Sequence, residues 1–387
     1  MYKQFSLTSD EEILERVQLA RPMEGGIITQ DITERIGCTH YDGWYHLTDK
    51  PYLLEGLEVM HQLGYRVAKI WFSAQGLPGY TYNSTWPSFT RETTLVDVAQ
   101  MPYYEQAFAM DFRTFVLEVF TAQGNSWIHG PEGNDAYYTR EEEEFYRLTK
   151  HLLETYRNRH LTFILQNWEG DWMLRGIGES WNPVPEDALR RCEGMVRWYR
   201  ARQRGVDRAR AEVVTTKCQV LYAAEVNKVY DALLGIPTVM THVIPHVDLD
   251  LVSYSCYDAL GDLPVSLWHA IEMIRQCARP SSTYGTNQVY IGEVGCPESE
   301  KERQTIESFW DQVMGVCLAL DIPYVLQWEL FCNEPKHLDR YTLPPETILA
   351  AEDLRGWWLI RPDGSPSFAQ EYLMKCSESA GGVIRDK

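Results

Sequence analysis

What most constrains this chain is a rhythm. A short β-rich apolar run, a loop and an amphipathic helix follow one another along nearly the whole sequence. The periodicity predicts strands at Arg35–Thr39, Val67–Phe72, Thr114–Phe120, Leu161–Asn167, Glu212–Thr216, Leu251–Ser255, Val289–Glu293 and Tyr324–Trp328. Helices are predicted over Pro51–Leu63, Val96–Ala109, Arg140–Arg157, Pro185–Arg204, within Glu225–Leu234, and over Val265–Ala278, Glu300–Leu320 and Ser367–Met374. Pro51 suits a first helical position and Gly64 a helix end. Thr139 with Glu142 reads as a capping box. Strands alternating with helices in this order imply a parallel sheet closed on itself. The expected fold is α/β, a single (β/α)8 barrel spanning residues 1–387, with 1–30 as a peripheral segment that includes a helix at Ser9–Arg21. The loops Ser73–Arg91 and Thr121–Tyr138 are longer than a connection requires and are expected to border a site.

Hydrophobic residues make up 44% of the 387, enough for one large core. The 55 acidic against 36 basic residues give a net charge of -19, which disfavours nucleic acid and anionic membranes as partners. No apolar run has the roughly 20 residues of a membrane span. The nine cysteines are dispersed, odd in number and without a CxxC, so they read as reduced thiols. With no apolar signal segment visible, that favours the cytoplasm; secretion is the alternative, and Asn83-Ser84-Thr85 alone is weak support for it. Oligomeric state is not readable. The 13 Trp and 23 Tyr suit core packing for the most part and sugar-stacking platforms for the rest.

Two glutamates carry the functional signal. Glu169 ends the apolar run in LTFILQNWEGDW (Leu161–Trp172), and Glu293 ends the one in QVYIGEVG (Gln288–Gly295). Each delivers a carboxyl group to the C-terminal end of a predicted strand, where such a barrel keeps its chemistry. Strands four and seven face each other across the mouth, so closure would bring the pair together. Two carboxyl groups so placed suit cleavage of a glycosidic bond: one protonates the departing oxygen, the other attacks or activates water. A separation of about 5–5.5 Å would mean a retaining reaction and roughly 6.5–9.5 Å an inverting one.

These residues and their order resemble the clan-A retaining glycoside hydrolases, the group of cellulases, β-mannanases, β-xylosidases and β-galactosidases. The resemblance covers the barrel, residues 30–375, through short motifs. It implies that Glu169 is the acid/base and Glu293 the nucleophile, that the bond is β-type, and that no cofactor is needed. It also implies that Trp328, in VLQWELF, floors a sugar subsite and that Tyr254 or Tyr257 aims at the nucleophile. The tail GWWLIRPDGSPSFAQEYL (Gly356–Leu373) resembles that of many members. There are departures. The clan places Asn directly before the acid/base; here Trp168 intervenes, and an extended strand would put Asn167 and Glu169 on one side, with Asn167 available to a sugar 2-hydroxyl. Many members carry Arg on strand two; here the nearest basic residue is Lys69, which could hold the nucleophile's charge or pair elsewhere. Asn333-Glu334-Pro335 repeats the clan's wording but comes after Glu293. It reads as a loop after strand eight, with Glu329 and Glu334 as substrate or structural contacts.

His40, Trp44, Trp71, Trp127, His129 and His242 fall in or near the expected C-terminal loops and outline a polar, aromatic cleft for a carbohydrate. Trp168 and Trp172 would wall Glu169 and raise its pKa, with Asp171 and Glu179 as substitute acids. Two other functions compete. One is a carbohydrate-binding barrel without turnover. The other is a metal-dependent hydrolase; His242 and His246 are spaced for one helix face, but Pro245 lies between them and no H-E-x-x-H is present. Gly176-Ile177-Gly178 lacks the third glycine of a dinucleotide motif.

Overall fold

The computed structural model describes residues 4–26, 28, 32–76, 79–176 and 180–379. Eight parallel strands close into a barrel in chain order. They are β1 (Ile36–His40), β2 (Val67–Ser73), β3 (Thr114–Phe120), β4 (Leu161–Gln166), β5 (Cys218–Val226), β6 (Leu251–Ser255), β7 (Val289–Val294) and β8 (Val325–Gln327). The ring closes through Ile36 opposite Val325 and Cys38 opposite Gln327. Side chains fill the inside and helices cover the outside, so the strands are buried on both faces and read as near-continuous apolar runs. All seven residues of β2, for example, are buried.

The helices are α1 (Asp10–Ala20), α2 (Tyr52–Gln62), α3 (Leu95–Ala99), α4 (Pro102–Ala109), α5 (Asp135–Thr155), α6 (Gly170–Arg175), α7 (Ala188–Glu212), α8 (Val239–His242), α9 (Val265–Cys277), α10 (Arg303–Ala319) and α11 (Phe368–Ser379). The peripheral α1 seats Ile13 and Val17 against the body of the molecule, and its ridge fits over Gly315 of α10. The helix expected over Val96–Ala109 is broken in two. Thr94 caps α3, and Pro102, which has no N–H to donate, opens α4. Thr139 and Glu142 form no capping box: α5 begins earlier, and the Thr139 hydroxyl donates back to the Asp135 carbonyl at 2.9 Å.

The largest correction concerns β5. The β-branched run Val213-Val214-Thr215-Thr216 looks like a strand, and the Ala-rich run that follows it looks helical. In the fold α7 continues to Glu212, residues 213–217 form the turn, and Cys218–Val226 is the strand. Barrel closure outweighs local propensity here. The expected helix within Glu225–Leu234 shrinks to a single 3-10 turn at Tyr230–Leu234. Glu225 therefore belongs to the barrel wall.

Register then sets which side chains meet. Glu118 of β3 lies beside Gln166 of β4, and Glu225 of β5 beside Ser253 of β6. Between β6 and β7 the register slips, so that Tyr254 pairs with Ile291 but Ser255 pairs with Glu293. A second slip separates Ile291 and Val294 along β8. β7 is thus irregular on both edges at Glu293, and bulges of this kind re-aim side chains beside sites.

Candidate active site

The polar layer at the C-terminal end of the barrel is built on one buried lysine. Lys69 of β2 is fully buried, and its ammonium donates to Glu293 at 2.9 Å, the Gly292 carbonyl at 3.2 Å and Glu225 at 3.3 Å and forms an ion pair with Glu118 at 2.8 Å. The carboxylates of Glu118, Glu225 and Glu293 bring oxygens within 4.8 Å of one another, close enough in principle for a metal ion. The ammonium that touches all three already supplies the cation such a group needs. Its charge survives burial because the three glutamates hold the Lys69 pKa well above the ordinary value.

Glu169 stands just after β4, at the N-cap of α6, with φ 24 and ψ 75. Its N–H is tied to Glu225 at 2.9 Å, and its carboxyl oxygen accepts from Ser255 at 2.8 Å. The same Ser255 hydroxyl lies 3.4 Å from Glu293, so one side chain bridges the two carboxyl groups. Both are nearly closed off from water, Glu169 at 6% and Glu293 at 3% exposure. Burial pushes the Glu169 carboxyl well up, and the charges of Glu293 and Glu225 add to it. Burial also raises Glu293, but Lys69 opposes it and holds the value to about 7. The pair is therefore split: one member keeps its proton while the other is closer to ionised.

Around the pair, Tyr257 has a buried hydroxyl with no hydrogen-bond partner among the described residues, and its ring meets Trp357 edge-on at 5.8 Å. Both Glu293 and Glu169 bear on it electrostatically. Tyr254 turns elsewhere and donates to Asp258 at 2.5 Å. Trp328 follows β8 and meets Trp71 at 6.0 Å, and Trp71 stacks on Tyr41 at 4.1 Å. Glu329 is fully buried, with one oxygen accepting from the Asn333 N–H at 2.8 Å and the other unpartnered among the described residues. Burial and the charges of Glu334 and Asp42 push its carboxyl well up. Trp168 and Trp172 meet edge-on at 5.8 Å on either side of Glu169 in sequence.

Other residues singled out from sequence are occupied. Asn167 accepts from the Glu225 N–H and donates to the Trp168 carbonyl, both at 3.1 Å, and so braces β4 against β5. Trp127 is fully buried in a stack on Trp198 at 5.4 Å, and His129 ends the same 3-10 turn. The Trp44 indole donates to the Asn333 carbonyl at 2.9 Å. His40 is buried against Tyr52, whose carbonyl lies 2.8 Å from its Nε2, and burial depresses its pKa to about 4. His242 shares a groove with His246, Arg197 and Arg200 beside α7, apart from the carboxylates. Asp171 is consumed by the backbone N–H groups of Asn227, Lys228 and Val239. Glu179, Ile177 and Gly178 lie outside the described residues. Glu118, Glu225 and Ser255 are the members that sequence reasoning missed. The signal for Glu118 was present: one charge inside the apolar run TFVLEVF.

No protein-family model matches the chain, and no curated protein is significantly similar to it. Solved structures are similar in fold. A GH5_18 protein from Bifidobacterium longum subsp. infantis is 16% identical with a TM-score of 0.53, over 91% of this chain and 79% of that one. A GH5_18 protein from Streptomyces cattleya, in complex with Manb1-4GlcNAc, is 13% identical with a TM-score of 0.54, over 89% and 80%. A family 39 glycoside hydrolase from Bacteroides cellulosilyticus is 10% identical with a TM-score of 0.50, over 91% and 65%. These neighbours are glycoside hydrolases of clan A, and what this chain shares with them is the (β/α)8 barrel.

Proposed function

We propose that this protein is a retaining glycoside hydrolase acting on a β-linked sugar, with Glu169 as acid/base and Glu293 as nucleophile. The observation that carries the reading is the shared contact with Ser255. Its distances of 2.8 and 3.4 Å cap the separation of the two bridged oxygens at about 6 Å. That favours the retaining spacing of about 5–5.5 Å over the roughly 6.5–9.5 Å that leaves room for an attacking water.

In the first step a Glu293 oxygen attacks the anomeric carbon while the Glu169 proton passes to the departing oxygen. In the second, Glu169 takes a proton from water as that water displaces Glu293 from the sugar. The raised Glu169 carboxyl suits the donor, and the Lys69 ammonium at 2.9 Å suits the nucleophile. Trp328 and Trp71 supply aromatic surface for a pyranose face. The free oxygens of Tyr257 and Glu329 are hydrogen-bonding atoms that a sugar could complete. The disaccharide held by the Streptomyces cattleya neighbour supports a carbohydrate as substrate class.

Proton NMR of the first-formed product tests the mechanism. The β-anomer should appear before mutarotation when an aryl β-glycoside is cleaved, and replacing Glu169 by Ala should slow an unactivated substrate about 10²–10⁴-fold. Initial release of the α-anomer would overturn the retaining assignment.

A further inference from the structure

The cluster under the barrel mouth is short of positive charge. Among the described residues Lys69 is the one cation in contact with Glu118, Glu225 and Glu293. Three ionised carboxylates around one ammonium would bury two uncompensated charges, at heavy cost. Hydrogen bonding indicates which group gives up its charge. Glu225 is satisfied on both oxygens: one takes the Glu169 N–H at 2.9 Å, the other takes Ser253 at 2.6 Å, Gln166 at 3.0 Å and Lys69 at 3.3 Å. Glu293 has Lys69 on one oxygen and Ser255 on the other. Glu118 uses one oxygen only, shared by Lys69 and Gln166 at 2.8 Å each, and its other oxygen is buried without a partner among the described residues. An ionised carboxylate with a bare buried oxygen is the least affordable of the three.

We propose that Glu118 carries a proton in the resting site and acts as a positioning residue, steadying Lys69 without competing for its charge. The ammonium is then left to Glu293 and Glu225. The groups that face Glu118 are Lys69 from β2, Gln166 from β4, Glu225 from β5, and Tyr290 and Glu293 from β7. Burial pushes the Glu118 carboxyl up to about 8 against the pull of Lys69, and the charges of Glu225 and Glu293 push the same way. Gln166 is itself anchored by the Tyr290 hydroxyl, so the brace runs from β7 through β4 to β3. The role given to the Lys69 charge rests on the glycosidase reading; the proton on Glu118 rests on the cluster alone.

Two readouts keep these claims separable. The first needs no activity: infrared spectra of the intact protein near neutral pH, wild type beside Glu118→Gln. A protonated-carboxyl band present in the wild type and lost in the variant is expected, and superposable spectra in that region overturn the proposal. Should Glu118→Gln not fold, Glu118→Met serves the same comparison. The second uses the pH dependence of kcat/KM. Glu118→Ala should lose about 100-fold in kcat, because Lys69 and Gln166 lose a buried partner, and Glu118→Gln should recover most of it. The acid limb, which reports Glu293, should stay in place in Glu118→Gln. If Glu118 were ionised, removing its charge would move that limb down by about one pH unit, and that result overturns the proposal. A wild type inactive on every glycoside would sink the glycosidase reading and leave the infrared comparison to decide Glu118.

Discussion

Ser255 has one hydroxyl proton and two carboxyl neighbours. It is nearer to Glu169 at 2.8 Å than to Glu293 at 3.4 Å, and it lowers the pKa of both. One proton serves one carboxyl group at a time, and on the proposed mechanism its donation matters most to Glu293, which would have to be ionised to attack. Removing it favours the protonated form, so the Ser255→Ala acid limb of kcat/KM should move to higher pH. The rate at neutral pH should fall about tenfold, as expected for losing a hydrogen bond to a charged group. A limb that stays put or moves down would contradict the assignment. At this scale the reading from sequence was uneven. Glu169, Glu293 and Lys69 were visible because each is a charge on an apolar strand or at its end. Tyr254 and Tyr257 were not separable, because which of them turns to Asp258 depends on the chain path after β6.

The element that shapes the site is β7. Its glycine at 292 leaves space that two neighbouring strands fill: a Cβ there would lie 1.8 Å from Ser253 Oγ and 2.6 Å from a Glu225 oxygen. Gly292→Ala should therefore destabilise the fold by about 1–3 kcal/mol in urea unfolding, the usual cost of overpacking. It should also lower activity by pushing Glu225 and its partner Lys69. Unchanged stability would mean that β5 and β6 yield more easily than their packing suggests. Strands and helices with a clean period were legible, and β3 and β6 match their expected ranges residue for residue. β5 was not, because Val-Val-Thr-Thr outside the barrel carries more strand propensity than the Ala-Ala-Glu inside it. That one misassignment hid Glu225. The register slips around Glu293, which set Ser255 opposite it, leave no local trace in sequence.

Over the whole molecule, buried glutamates dominate the response to pH. Glu118, Glu169, Glu293 and Glu329 all have carboxyl groups raised by burial first. An unfolded glutamate titrates near about 4.3, so above that pH the native state holds more protons than the unfolded one. The stability these groups contribute is full below the unfolded value and is lost as pH rises through the native values, about 7 for Glu293 and about 8 for Glu118. The net charge of -19 at pH 7 works in the same direction. The melting temperature should thus be higher at a pH of about 5.5 than of about 8.5, and Glu329→Gln should flatten the decline. A melting temperature that climbs across that window would contradict the burial of protonated carboxyls. The eightfold repeat made the architecture readable, and the two carboxyl groups at its strand ends are what the proposed chemistry was read from. The buried lysine–glutamate layer that joins them exists only once the barrel has closed.

The central claim is that Glu293 forms a bond to sugar, and chemical rescue tests it most directly. Wild type and Glu293→Ala are compared on a panel of aryl β- and α-glycosides, with and without azide. The account predicts turnover of one or more β-glycosides by the wild type, loss of it in the variant, and an α-glycosyl azide when azide fills the space left by the carboxylate. A variant as active as the wild type, or a rescued product of β configuration, would contradict it.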